Sequence, residues 1–318
     1  MDRILVTGGA GFIGSNFVRQ LINETNSKVL NLDKLTYAGN LRNIKDFRSN
    51  KAHRFLKGDI RNSKLVDSLV EKTDAVVNFA AESHVDRSIK TPRIFMETNV
   101  LGTQVLLEAC RRFRVRFEQI STDEVYGSRA EGSFKETDLL KPSSPYSASK
   151  AAADLLVNAY YVTYGLEVTV TRSTNNYGPN QHPEKLIPRL ITNALRGRPL
   201  PIYGTGENVR DWIFVEDNCR AIRVVLEKGQ KGQVYNIAGG NEKKNIDIAR
   251  RILRQLSLPE TMLEFLKDRP GHDLRYSLDC EKIRRLGWKP VVAFDEGLRK
   301  TISWYKSNSR WWAPLVRR

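Results

Sequence analysis

Two observations predict an α/β fold with a doubly wound parallel sheet: short apolar runs alternate with longer amphipathic stretches, and a glycine-rich turn joins the first run to the first stretch. The apolar runs are residues 4–6, 29–32, 55–56, 75–81, 117–120 and 168–170, and each reads as a buried strand. Between them, residues 12–22, 63–70, 99–112 and 147–164 have helical spacing. Strands in such an alternation run parallel and are covered by helices on both faces. Near residue 177 the pattern changes: Pro179, Pro183, Pro188, Pro199 and Pro201 punctuate short elements. A first domain is therefore expected over residues 1–177, with a returning segment near 211–240. A smaller mixed α/β domain over 178–318 completes a substrate cleft. There is no internal repeat and no low-complexity linker.

Composition sets outer limits. With 318 residues, 40% of them hydrophobic and 28% charged, the chain has ordinary globular make-up. It lacks a run of about 18 to 20 apolar residues, and its first apolar stretch is too short for a secretory signal, so a soluble cytoplasmic protein is expected. Three scattered cysteines, Cys110, Cys219 and Cys280, and four dispersed histidines suggest neither a disulfide framework nor a metal site. The formal charge of +16 should attract polyanions at low salt. Its densest run, Arg111, Arg112, Arg114 and Arg116, falls where a helix should end, a position that favours cations. A solvated basic face is one reading of that run; an acidic partner or surface is the other.

The turn Thr7-Gly8-Gly9-Ala10-Gly11-Phe12-Ile13-Gly14 follows the first strand and opens the first helix. Glycines also make plain turns, but this placement suits a pyrophosphate. Gly8 permits the tight turn, Gly11 lets backbone approach the phosphates, Gly14 allows close helix packing, and the helix N-terminus faces the negative charge. Asp33 lies 19 residues beyond Gly14 at the end of the second strand. There a carboxylate can accept from an adenosine ribose diol and repel a 2′-phosphate, which favours NAD over NADP; a turn or cap aspartate is the alternative. Asp59, after the third strand, is placed for the adenine edge.

Tyr146 and Lys150 stand four residues apart, on one face of an expected helix. A neighbouring ammonium favours tyrosinate, and bringing a phenol from about 10 towards neutrality needs roughly 4 kcal/mol, which Lys150 and a positive nicotinamide could supply together. Tyr146 would then take a hydroxyl proton as hydride leaves the same carbon. At the end of the fifth strand, Asp123 and Glu124 are candidates for acid and base, because ligands bind at the carboxyl ends of parallel strands. A helix-cap Asp beside a solvated Glu is the alternative. Thr122 could hydrogen-bond the hydroxyl that Tyr146 deprotonates.

These residues carry a resemblance. The segments GGAGFIGS at 8–15, DKLTYAGN at 33–40, FAAESHVDRSI at 79–89, STDEVYG at 121–127, SPYSASKA at 144–151, NNYGP at 175–179, PEKLIP at 183–188, RDWIFVED at 210–217 and DRPGHD at 268–273 resemble the NAD-dependent epimerase/dehydratase family of the extended short-chain dehydrogenase/reductases. The glycine turn and the Tyr/Lys pair are shared across that superfamily, whereas Asp-Glu after Thr122 marks its 4,6-dehydratase branch. The resemblance implies a Rossmann-type NAD domain, a homodimer, and loss of water from dTDP-glucose to give dTDP-4-keto-6-deoxyglucose. In that cycle Tyr146 and NAD⁺ oxidise C4, Glu124 removes the acidified C5 proton, and Asp123 protonates the departing C6 hydroxyl. Hydride then returns to C6, so NAD stays bound through turnover.

The resemblance also implies site residues. Around the cofactor it places Gly8, Gly11, Phe12, Ile13, Gly14, Asp33, Lys34, Leu35, Thr36, Asp59, Ile60, Phe79, Ala80, Ala81, Glu82, Ser83, Thr98, Tyr146, Lys150 and Asn176. Ser83, Thr122 and Asn175 should contact the hexose. Lys185, Leu186, Pro201, Ile202, Tyr203, Arg210 and Asn245, with Asp268, Arg269, Pro270, Gly271 and His272, should bind the nucleotide and diphosphate. Arg210 can pair bidentately with phosphate and Tyr203 can stack on a pyrimidine. Trp311 and Trp312 are expected to close a core or subunit contact. Rival readings are a dehydratase, epimerase or decarboxylase of a UDP- or CDP-linked sugar and, from another class, a basic nucleic-acid-binding protein with an inert cofactor fold.

Overall fold

The structure, a computed structural model, describes residues 1–268 and 273–316. The chain opens with β1 (Arg3–Thr7), α1 (Phe12–Glu24), β2 (Lys28–Asp33), β3 (His53–Lys57), α2 (Ser63–Val70) and β4 (Ala75–Asn78). A long helical stretch follows, made of α3 (Val85–Lys90), α4 (Pro92–Phe95), a π-helical turn (Met96–Leu101) and α5 (Gly102–Phe113). Then come β5 (Arg116–Thr122), a 3₁₀ turn (Asp123–Tyr126), α6 (Pro145–Tyr164) and β6 (Val168–Ser173). The remainder is β7 (Asn175–Tyr177), α7 (Leu186–Ala194), β8 (Leu200–Tyr203), β9 (Val209–Phe214), α8 (Val215–Lys228), β10 (Gln233–Ile237), β11 (Glu242–Lys244), α9 (Asn245–Leu256), β12 (Leu263–Leu266), α10 (Glu281–Arg284), α11 (Phe294–Ser307) and α12 (Ser309–Trp312).

Seven strands form one sheet in the order β10-β6-β5-β4-β1-β2-β3, and every pair in it is parallel. Side chains alternate between its faces, and the alternation builds two cores. Leu5, Val76, Phe117 and Val168 point to the face covered by Val66 of α2, Leu107 of α5 and Val157 of α6. Ile4, Val6, Val29 and Val77 point to the other, under Phe17 of α1 and Ile222 of α8. A third cluster joins α7, α9 and α11 to β8 and β9 and holds Trp311 and Trp312. Their indole N–H groups donate to Asn43 Oδ1 and the Tyr305 carbonyl, both at 2.8 Å, which makes them core residues.

Strand order reverses between β1 and β4, so the crevice outside their carboxyl ends is the binding position of an open α/β sheet. The smaller region carries a three-stranded sheet, β11-β9-β7, and a two-stranded one, β12-β8. Through α8 and β10 the chain returns to the large sheet, with β10 extending the β6 edge; residues 211–214 belong instead to β9. The apolar run 75–81 is strand only to Asn78, and residues 79–81 turn away as loop. The helical reading of 99–112 begins late, since the helical stretch opens at α3 and passes through the π turn without a break between residues 92 and 113.

The basic run is largely neutralised. Arg111 pairs with Glu108 at 2.9 Å, Arg116 with Glu167 at 2.8 Å, and Arg112 with Asp67, while Arg114 ends α5 in the left-handed conformation at φ 56°. Among the described residues no helix is long and apolar enough to cross a membrane.

Candidate active site

The cofactor half of the cleft is built on the β1–α1 turn. Gly8 sits at φ 70°, and a Cβ there would lie 2.7 Å from the Ala80 nitrogen. At Gly14 a Cβ would lie 2.4 Å from the Gly8 carbonyl oxygen, so helix and turn touch through backbone. A Cβ on Gly11 would meet only that same oxygen at 3.2 Å, which leaves its cleft side open to a ligand. Gly11 caps α1 without any side-chain hydrogen bond, leaving the first-turn N–H groups facing the cleft for an anion.

Asp33 ends β2, buried. Its two oxygens accept from the N–H groups of Ala10 at 2.9 Å and Leu35 at 2.7 Å, and each keeps a lone pair for a ribose hydroxyl. Burial raises its pKa, and the two N–H bonds oppose that. Asp59 is held ionised, below the usual carboxylate range: Arg61 at 2.8 Å and Lys34 at 2.9 Å outweigh its partial burial. Phe12, Ile13, Lys34, Thr36, Asp59, Ile60, Phe79, Ala80, Ala81, Glu82, Ser83, Thr98 and Asn176 line this half with the three glycines. Leu35 does not: at φ 57° its side chain turns into the core beneath, and only its backbone serves the site, through Asp33.

The reacting groups gather where β5 meets α6. Thr122 ends the strand; its hydroxyl accepts from the Glu124 N–H at 3.3 Å and donates to Asp123 Oδ1 at 3.1 Å. Asp123 is 2% exposed and its Oδ2 has no hydrogen-bond partner. Burial, then the charge of Glu124, pushes its pKa up to about 8 against the Thr122 hydrogen bond and the Arg210 guanidinium. Asp123 is therefore protonated at neutral pH beside a second carboxyl group.

Helix α6 presents its first turn to the same point, fixed by Pro145 and by a reciprocal capping box between Ser144 and Ser147. Tyr146 and Lys150 are both buried and both line the cleft. The Lys150 ammonium donates to the Ile120 carbonyl at 2.6 Å, and burial brings its pKa down to about 8. The phenol of Tyr146 is pushed well above its ordinary value by burial and by Glu124 and Asp123, with a Thr122 hydrogen bond opposing. The lysine is engaged by a main-chain carbonyl and acidic side chains face the phenol, so Lys150 alone does not lower Tyr146 here, and the expected lowering requires the nicotinamide charge as well. A further positive charge is needed before Tyr146 can act as a base. Behind the site, Arg172 binds Asp154 at 2.9 Å and the Tyr126 hydroxyl at 2.8 Å, and Ser121 binds Asp154 at 3.0 Å, which locks β5, the 3₁₀ turn and α6 together.

A second hollow continues the first, and Glu124, Asn175, Glu184 and Lys185 belong to the walls of both. Leu186, Pro201, Tyr203, Arg210 and Asn245 line it. Arg210 is buried, stacked 4.2 Å from the Tyr276 ring centroid, and donates to the carbonyls of Val209 at 2.7 Å and Asp273 at 2.8 Å. Ile202 points away from the hollow into the core of the smaller region, because alternation along β8 puts it on the inner face between Pro201 and Tyr203. Asp268 packs by the turn at Gly204, where a Cβ would lie 3.0 Å from its carboxylate. Arg269, Pro270, Gly271 and His272 lie outside the described residues.

Buried polar atoms without a protein partner mark both walls: Thr174 Oγ1 and Asn176 Oδ1 in the first half, Asn245 Oδ1 and Trp212 Nε1 in the second. With the open Gly11 and the remaining lone pairs of Asp33, the first two fit a dinucleotide running from the glycine turn to Tyr146, and the last two belong to the second hollow. Sequence reasoning missed the ridge between the halves, formed by Tyr37, His84, Arg87, His182 and Glu184, and the arginines Arg189 and Arg196 on the outer wall. Tyr37, His84, Arg87 and Glu184 lie inside the segments 33–40, 79–89 and 183–188 that carry the resemblance, but no local pattern brings them together; Arg189 lies on α7 and Arg196 in the turn after it, so no shared helical face marks that pair.

Fold and site together define an extended short-chain dehydrogenase/reductase whose β5 strand is followed directly by a pair of acids. The chain belongs to the family described as GDP-mannose 4,6 dehydratase, which matches residues 5–301. It is 52% identical to a dTDP-glucose 4,6-dehydratase of Streptomyces niveus over 98% of this chain and 95% of that one. It is also 52% identical to the low-salt glycan biosynthesis protein Agl12 of Haloferax volcanii, over 95% of this chain and 98% of that one. Among solved structures it resembles DesIV, a dTDP-glucose 4,6-dehydratase of Streptomyces venezuelae with NAD and dTDP bound, with a TM-score of 0.97, 51% identity, and 98% and 99% of the two chains covered.

Proposed function

We propose that this chain is a hydro-lyase that converts dTDP-glucose to dTDP-4-keto-6-deoxyglucose and water, with NAD held through the cycle. One observation carries the reading: Asp123, buried with its Oδ2 unpartnered, stands next to Glu124 in the wall of the cleft, and burial with the neighbouring carboxylate holds its pKa up. Adjacent acids in which one is held protonated are what an elimination needs, an acid for the departing oxygen and a base for the carbon. Relatives named for this reaction match nearly the whole chain.

Held along Gly8, Gly11, Gly14 and Asp33, NAD would supply the positive charge that Tyr146 lacks and the hydride acceptor and donor for C4 and C6 of the hexose. Tyr146, with Thr122 on the same hydroxyl, takes the C4 hydroxyl proton. The resulting ketone acidifies C5, and Glu124 removes that proton. Asp123 delivers its own proton to the C6 hydroxyl, which leaves as water; as hydride returns to C6 a proton returns to C5 from Glu124, and the proton held by Tyr146 balances the one Asp123 gave up, so both groups reset by exchange with solvent. Ser83 and Asn175 hold the hexose; Lys185, Arg210, Tyr203 and Asn245 take the diphosphate and nucleoside. The test is to supply dTDP-, UDP- and CDP-glucose separately and detect water loss by mass. Turnover of dTDP-glucose well above the others supports the reading, and preference for another base refutes the dTDP assignment.

The same reading has the chain act in the cytoplasm on a small nucleotide sugar, not on nucleic acid, and as a homodimer. Support for the dimer is an apolar face: Ile94 and Leu101 from the long helical stretch and Leu155 and Val162 from α6 are all exposed large hydrophobics.

A further inference from the structure

The ridge between the two halves of the cleft is built from three separate segments. Tyr37 comes from the loop after β2 that also carries Lys34 and Thr36 of the cofactor wall; His84 and Arg87 come from the start of α3; His182 and Glu184 precede α7. Arg87 ties all three. Its guanidinium lies 3.8 Å from the centroid of the Tyr37 ring and donates to Glu184 Oε2 at 3.2 Å. Tyr37 sets its ring edge-on to His182, with centroids 5.7 Å apart. His84 Nδ1 accepts the Arg87 backbone N–H at 3.4 Å, which directs Nε2 towards Glu184 Oε2 at 3.7 Å. A second tie runs alongside, from the Lys185 ammonium to the Ser83 carbonyl at 2.6 Å.

The electrostatics make this a fastening rather than a source of fold stability. The Arg87 side chain is 47% exposed and that of Glu184 14%, and a half-exposed ion pair contributes little to folding. Burial keeps both histidines below their ordinary pKa, His182 at about 4, so at neutral pH the central charges of the ridge are Arg87 against Glu184, flanked by Lys185, Asp86 and Glu82. What the pair fixes is position: it holds the loop that borders the cofactor against the loop that carries Lys185 to the nucleotide sugar.

We infer that Arg87 and Glu184 are positioning residues that couple the two halves, so that a nucleotide in the second half slows release of NAD from the first. This rests on the proposed dTDP-glucose reading for the identity of the ligand, but the coupling itself is read without turnover. To the extent that slower release reflects tighter equilibrium binding of NAD, linkage is reciprocal and bound NAD raises nucleotide affinity by that same affinity factor; equilibrium couplings of this kind span about 5- to 150-fold.

The test measures NAD retained by the full-length protein after rapid desalting, with and without dTDP, in the parent and in Arg87→Ala, together with KM and kcat for dTDP-glucose. In the parent, dTDP should slow NAD release by at least about 5-fold, and in Arg87→Ala the effect should vanish. KM should rise about 10-fold while kcat at saturation stays within about 2-fold, the pattern of lost binding that ground state and transition state share. Arg87→Lys, which keeps the charge but cannot lie flat on Tyr37, should recover part of the coupling. Should Arg87→Ala fail to fold, Glu184→Gln reads the same quantities with the shape kept. Unchanged coupling and KM in a folded variant, or a fall in kcat at constant KM, overturns the inference. If the parent ignores dTDP-glucose but dTDP still slows NAD release through Arg87, the substrate reading fails and the coupling stands.

Discussion

Replacing Asp123 with Asn should separate stability from catalysis in a pH-dependent way. The buried carboxyl titrates at about 8 in the folded protein against 3.8 for an ordinary aspartate. Because the folded pKa is raised, the folded state holds a proton that the unfolded chain gives up, and stability falls as pH rises from the unfolded value towards the folded one. Each unit of that interval is worth about 1.4 kcal/mol, so from pH 5 to 7.5 the parent should lose roughly 3 kcal/mol at this one site. Asparagine has no proton to lose and escapes this loss. Urea unfolding at the two pH values should therefore show the variant gaining on the parent by about that amount as pH rises, while its water loss drops by about 10²- to 10⁴-fold for want of the acid. In the parent, kcat/KM should decline above about pH 8 as the acid ionises. If parent and variant lose stability in parallel across this range, or if the variant dehydrates at the parent rate, the protonated-Asp123 argument is wrong.

Other consequences are checked more simply. Glu124→Gln should still oxidise bound sugar, seen as reduced nicotinamide absorbance, yet release no water; dehydration at the parent rate would remove Glu124 as the C5 base. Gly14→Ala places a methyl 2.4 Å from a backbone oxygen and should lose both NAD and thermal stability, whereas Gly11→Ala, with its nearest neighbour at 3.2 Å, should fold normally and show weakened NAD binding alone. Leu155→Glu should turn a dimer into monomers in sedimentation if the exposed face of α6 is the contact; an unchanged oligomer would place the contact elsewhere.

Much of the large sheet was legible because its strands are buried on both faces and read as plain apolar runs, and residues 63–70 were read as helix with the ends that α2 has. The same rule overreached at 79–81, where apolar residues line a cleft rather than continue β4: hydrophobicity reports removal from water and does not distinguish a core from a cofactor wall. Ile202 is the converse, a core side chain in a segment whose neighbours face the ligand. Residue types located Asp123, Glu124, Tyr146 and Lys150, but not their protonation, since the raised Asp123 and the occupied Lys150 depend on burial and on partners such as Arg210 and the Ile120 carbonyl brought from other elements. The Arg111–Arg116 run looked like a basic patch because two of its partners, Asp67 and Glu167, are distant in sequence, although Glu108 lies three residues before Arg111. Tyr37, Arg87 and Glu184 could not be grouped beforehand for the same reason.

The most direct test uses dTDP-glucose carrying deuterium on the C4 ring carbon, with the product examined by NMR. An intramolecular oxidation, elimination and return predicts that the label reappears on the exocyclic C6 carbon with little loss. A product that has shed its deuterium to solvent, or water loss that leaves the label on the ring, would contradict the account.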